Sequence, residues 1–76
     1  MRAMHLVPVQ SSILRAVAYD DRHDLLEVHF RDGAVYHYLG VPAKTHQELL
    51  AATSKGVYFN RQIRGRFHYE AIRSTN

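Results

Sequence analysis

Residues 25–40 read LLEVHFRDGAVYHYLG, and the register in which this stretch folds back on itself decides the fold. Leu26, Val28 and Phe30 alternate with Leu25, Glu27 and His29, the period of a strand with two distinct faces. After the turn signal Arg31-Asp32-Gly33, Tyr36 and Tyr38 alternate with Val35, His37 and Leu39. Two hairpins are open to it. A two-residue Asp32-Gly33 turn pairs Phe30 with Val35 and sets the tyrosines opposite the Leu26/Val28/Phe30 face. A three-residue loop with Gly33 in the left-handed conformation pairs Phe30 with Ala34, so that Tyr36 faces Val28 and Tyr38 faces Leu26. A slip of one residue moves every side chain to the other face. The bulged loop is favoured because it joins the larger apolar sets on one buried face, and it makes the tyrosines core or core-edge.

Upstream, ILRAVAY (13–19) is a further strand that ends at the acidic turn Asp20-Asp21. LVPV (6–9) is extended, since Pro8 opposes a helix, and residues 1–7 are read as a frayed N-terminal extension. Downstream, Val41-Pro42 ends the sheet and opens a helix near 43–52, with Leu49 and Leu50 inward and Lys44, Gln47 and Glu48 outward. Ser54 is placed to cap a second helix, 55–64, on which Gly56, Phe59 and Ile63 share one side. Arg61 and Arg64 lie on the opposite side, flanked by Asn60, and Gly65 stops the helix. RFHYEAI (66–72) continues as an extended or short helical tail, with Phe67 or Tyr69, and Ile72, packing back on the body. The expected fold is a single α+β domain over 1–76. It has an antiparallel three-stranded sheet followed by two short helices on one face, in the order β-β-β-α-α.

The 76 residues suffice for one small core, and 46% hydrophobic content reads as folded. The chain has no cysteine, so no disulfide and no thiolate zinc site, and no apolar run approaches the roughly 18 residues of a membrane span. The segment MRAMHLVPVQ lacks the apolar run of a signal peptide, which points to a cytoplasmic protein. Charge is asymmetric. Residues 1–42 hold four Lys/Arg against five Asp/Glu, whereas residues 43–76 hold six against two. The basic half fits an anionic partner.

Tyr36-His37-Tyr38, then Val41-Pro42, Leu49-Leu50 and the long run SKGVYFNRQIRGRFHYEAI (54–72) resemble the KTSC domain family. The family is named for its occurrence at the C-terminus of some lysyl-tRNA synthetases and also occurs as a free-standing small bacterial protein. Its hallmarks fall on Tyr36 and Tyr38, then Ser54, Lys55, Gly56, Phe59, Asn60, Ile63 and Arg64, and the likeness spans roughly residues 9–72. The synthetase context implies RNA binding.

Lys55, Arg61, Arg64 and Arg66 are the candidate phosphate contacts, and Tyr58, off the Phe59/Ile63 side, is the candidate exposed stacking ring. A solvated helix face, with the arginines paired to Glu70 or Asp32, is the plainer reading. Tyr36 and Tyr38 would stack bases only if the sheet face were open; core packing is favoured. The Lys55-Gly56 turn lacks the upstream glycine of a phosphate loop. Glu27, His29 and His37 share one sheet face in the bulged register. That trio is compatible with zinc or with acid–base cleavage of RNA, but its spacing is generic and exposed strand positions are the plainer reading. No metal, cofactor or nucleophilic triad is assigned. The expected function is a small non-enzymatic RNA-binding module acting through the basic C-terminal helix. The alternatives are a protein-interaction or homodimerising domain, joined through its exposed sheet face (Leu25, Val35, Leu39) or an edge, and a small metal-independent ribonuclease.

Overall fold

In the structure, a computed structural model that describes residues 4–74, the central hairpin takes the three-residue loop. Phe30 donates its N–H to the Ala34 carbonyl at 2.9 Å and Gly33 donates to the Phe30 carbonyl at 3.0 Å, with Gly33 at φ +99°. Only glycine adopts that φ without steric cost. Asp32 Oδ1 accepts the Ala34 N–H at 3.0 Å and fixes the turn. Val28 therefore stands opposite Tyr36 and Leu26 opposite Tyr38, the register that gathers the larger apolar sets on one face.

The sheet has five strands, not three. In chain order the elements are β1 (Val7–Pro8), β2 (Leu14–Asp20), β3 (Leu25–Phe30), β4 (Val35–Leu39), α1 (Ala43–Ala51), α2 (Lys55–Gln62) and β5 (Tyr69–Arg73). The strands lie side by side in that same order, every neighbouring pair antiparallel. The α+β class holds, but β-β-β-α-α is corrected to β-β-β-β-α-α-β. Both added strands are edges. β1 is two residues long and includes a proline, and all five residues of β5 are exposed, so neither shows the alternation that marks a half-buried strand. The frayed extension is corrected at Val7, which pairs with Val17, while residues 1–3 lie outside the described residues.

The helix pair leaves β4 and returns to its neighbour β5 at the same end of the sheet, where Leu39 N–H donates to the His68 carbonyl at 2.8 Å. Tyr19 anchors the start of this excursion. Its hydroxyl donates to the Val41 carbonyl at 2.6 Å, and its ring stacks on His46 of α1 at 4.6 Å. Between the helices and the sheet lies the core: Leu14, Val17, Leu26, Val28 and Tyr38 from the strands meet Leu49, Phe59 and Ile63. Ser54 caps α2 as expected, its Oγ accepting the Val57 N–H at 3.3 Å. The helix ends at Gln62, two residues early, because the Arg64 N–H reaches back to the Phe59 carbonyl that already accepts the Ile63 N–H, before Gly65 at φ +78°.

On the opposite sheet face Ala16, Ala18 and Val35 stand in register with Glu27, His29 and His37. The apolar area expected there is reduced: Val35 is only 6% exposed, and Leu25 and Leu39 are half-buried.

Candidate nucleic-acid interface

Arg61 lies in the last turn of α2, and Arg64 and Arg66 lie in the turn that leads to β5; all three are exposed. Among the described residues none of the three forms an ion pair, Glu70 and Asp32 included. The one pair made there by a Lys or Arg is Lys44–Glu48, at 4.0 Å. Two of the arginines are nonetheless held in place. Arg66 Nε donates to the Arg61 carbonyl at 2.8 Å, satisfying an orphan group of the helix end. The Arg64 guanidinium sits 5.5 Å from the centre of the Phe59 ring, within cation–π reach. Arg64 also neighbours Tyr38: burial pushes that phenol above its ordinary value, and the guanidinium charge opposes the push.

The strand that follows brings an aromatic surface to this helix end. β5 sets Tyr69 opposite Tyr38 on the helix side of the sheet. The Tyr69 ring stacks on Tyr36, with centroids 5.0 Å apart and planes 6° apart, and remains 51% exposed. Tyr38 is 2% exposed and belongs to the core, and Tyr36 is half-buried between Phe30 and Tyr69. Of the tail, Phe67 packs on the core, but Ile72 is 54% exposed, a correction to its expected burial.

Two of the residues singled out in the sequence are engaged elsewhere. Tyr58, expected as an exposed ring, is half-buried against the core, and its hydroxyl donates to Glu48 Oε1 at 2.9 Å. Lys55 begins α2, at the end away from Arg64 and Arg66, and its partly buried Nζ donates to the Ala52 carbonyl at 2.9 Å. Arg61, Arg64 and Arg66 are thus the part of the set that lies at one helix end, and Tyr69 begins the strand that follows. The signal for Tyr69 was faint: one aromatic two residues before Ala71, meaningful only once β5 is known to pair with β4.

The other motif residues build the scaffold. Phe59 and Ile63 have no exposed surface. Gly56 lets α2 approach the start of β2: a Cβ there would meet Ser11 Oγ at 3.2 Å and Ile13 Cγ1 at 3.3 Å. A cleft of about 270 Å³ beside it is lined by Ser11, Ser54, Lys55 and Asn60, among others. Three of these side chains already have partners. Ser11 Oγ accepts the Ile13 and Leu14 N–H groups at 3.2 Å each, and Ser54 and Lys55 make the bonds given above.

The Glu27/His29/His37 trio does converge, on the sheet face away from the helices. His29 Nε2 and His37 Nε2 donate to the two oxygens of Glu27 at 2.7 and 2.8 Å. Partial burial pushes the Glu27 carboxyl up, but the hydrogen bonds and charges of the two imidazoles outweigh this and hold it below its ordinary value. Each Nε2 is spent on its own carboxylate oxygen, and no three His, Asp or Glu side chains among the described residues form a metal-holding group. No helix among them is long and apolar enough to cross a membrane.

Comparison with known proteins gives this architecture a family. The KTSC domain model matches residues 10–67, the span from the segment between β1 and β2 to the turn before β5. An uncharacterised protein of Stutzerimonas stutzeri is 44% identical over 66 residues, covering 87% of this chain and 92% of its own length. A lysine–tRNA ligase of Nostoc punctiforme is 33% identical over 70 residues, which span 92% of this chain but 12% of the ligase. The crystal structure of a KTSC domain protein from Yersinia pestis superposes with a TM-score of 0.90 at 41% identity, covering 93% of this chain and all of that one. Sequence match, full-length relatives and fold agree, and the chain belongs to the KTSC domain family.

Proposed function

We propose that this domain is a small RNA-binding module that holds phosphates through Arg61, Arg64 and Arg66 and stacks a base on Tyr69. One observation carries the reading: three exposed arginines cluster at one helix end, unpaired among the described residues, beside a half-exposed ring. Free cations next to a π-face are what a single-stranded or looped nucleic acid requires. The similar stretch in a protein named lysine–tRNA ligase supports tRNA as the first RNA to try. No catalytic step is assigned. Arg64 neighbours the aromatic cluster on the helix side, whereas His29 and His37 lie on the opposite face with their Nε2 atoms engaged by Glu27.

Labelled tRNA and an unrelated single-stranded RNA titrated against the protein at low salt test this reading. Tyr69→Ala should weaken binding by about 1–3 kcal/mol while Tyr69→Phe retains it, because stacking needs the ring and not the hydroxyl. Failure of both RNAs to bind would reject the reading. The protein-interaction alternative draws on a different observation, the uniformly exposed edge strand β5.

A further inference from the structure

We propose that two copies of this chain associate edge to edge through β5, in an antiparallel pair centred on Ala71. β5 ends the sheet, so one row of its backbone groups meets no strand among the described residues. His68 gives its carbonyl to Leu39 N–H, and the alternation of a strand then turns the peptide groups of Tyr69 and Ala71 outward. A two-fold axis at Ala71 lets the two outward-facing Ala71 residues exchange both of their hydrogen bonds. The same edge carries two of the four large apolar side chains exposed among the described residues, Tyr69 and Ile72. The opposite edge cannot serve in this way: β1 has two residues, and Pro8 has no N–H to give.

Charge selects a second copy as the occupant. Glu70 stands opposite His37, and Arg73 stands opposite Val35. Both therefore lie on the face away from the helices, because Ile72 is the extra residue of a bulge. Neither is ion-paired within its own chain among the described residues. An antiparallel axis at Ala71 brings Glu70 of each copy within one residue of Arg73 of the other, giving two symmetric opposite-charge contacts. Centred one residue earlier, the pairing would set two Glu70 carboxylates face to face. Five residues a side is far below the roughly 20–30 of a stable interface, so the dimer forms as concentration rises. The proposal stands independently of RNA binding.

Sedimentation equilibrium over increasing protein concentration is the test. The mass should rise from the 8.8 kDa monomer toward twice that value. Glu70→Arg should raise the dissociation constant about tenfold or more, and Glu70→Arg/Arg73→Glu should restore it. Circular dichroism checks that each variant stays folded. Because the chain has no cysteine, Ala71→Cys places one thiol at the axis, and oxidation should link the two copies through it. A protein that stays monomeric at the highest concentration, or a dimer that Glu70→Arg does not weaken, overturns the proposal.

Discussion

Phe59 joins the core to the candidate site. Its ring has no exposed surface and meets Phe30 and Tyr38 edge-on at 5.5 Å each, and Arg64 lies over it. Removing a buried ring costs about 3–5 kcal/mol. A domain of 76 residues has about 4–11 kcal/mol in all. Phe59→Ala should therefore remove a large share of the stability, read as a much lower midpoint in a urea titration. Gly56 is a finer test, because two effects oppose. Alanine gains up to about 1 kcal/mol of helix propensity, less in a first turn. The added Cβ, however, presses on Ser11 Oγ, which two backbone N–H groups hold in place. Overpacking costs about 1–3 kcal/mol, so crowding wins. Gly56→Ala should lose about 1 kcal/mol, read as a lower urea midpoint at unchanged slope.

Elements show where the sequence was informative. The β3–β4 register was legible because Gly33 permits the bulged loop and because only that register puts Tyr36 and Tyr38 with Val28 and Leu26. The helices were legible from Pro42, the Ser54 cap and the Gly56/Phe59/Ile63 spacing. β5 was not, because a strand exposed at every position carries no hydrophobic alternation; its place is set by pairing with β4, a tertiary fact. The stacking of Tyr69 on Tyr36 was hidden for the same reason, and so was the place of Tyr69 in the candidate site. On the other face of the same strands, Glu27 predicts a pH effect. Its folded carboxyl is held below its ordinary value by His29 and His37. The stability this supplies is present above the unfolded pKa of about 4.3 and is lost as pH falls through the folded value. Glu27→Gln should therefore flatten the fall in stability below about pH 4.3, measured by urea unfolding at successive pH values.

Across the whole molecule, the surplus of positive charge lies after residue 42, and the fold gathers three of its arginines at one helix end beside the last strand. The far face carries Glu27 and Glu70 with His29 and His37, so the two sides of the sheet differ in chemistry. A phosphate-holding surface on one side implies a salt dependence that no core-packing role would produce. The slope of log binding constant against log salt for labelled tRNA measures it directly. Three arginine contacts predict a slope of about −2 to −3. Arg61→Ala/Arg66→Ala, which leaves Arg64 on the Phe59 ring, should reduce its magnitude by about 1.4–1.8. Losing the Arg66 bond to the Arg61 carbonyl should lower thermal stability slightly, and circular dichroism should show the variant still folded. Absence of binding at low salt, or a slope unmoved by the double substitution, would contradict the assignment of RNA to this surface.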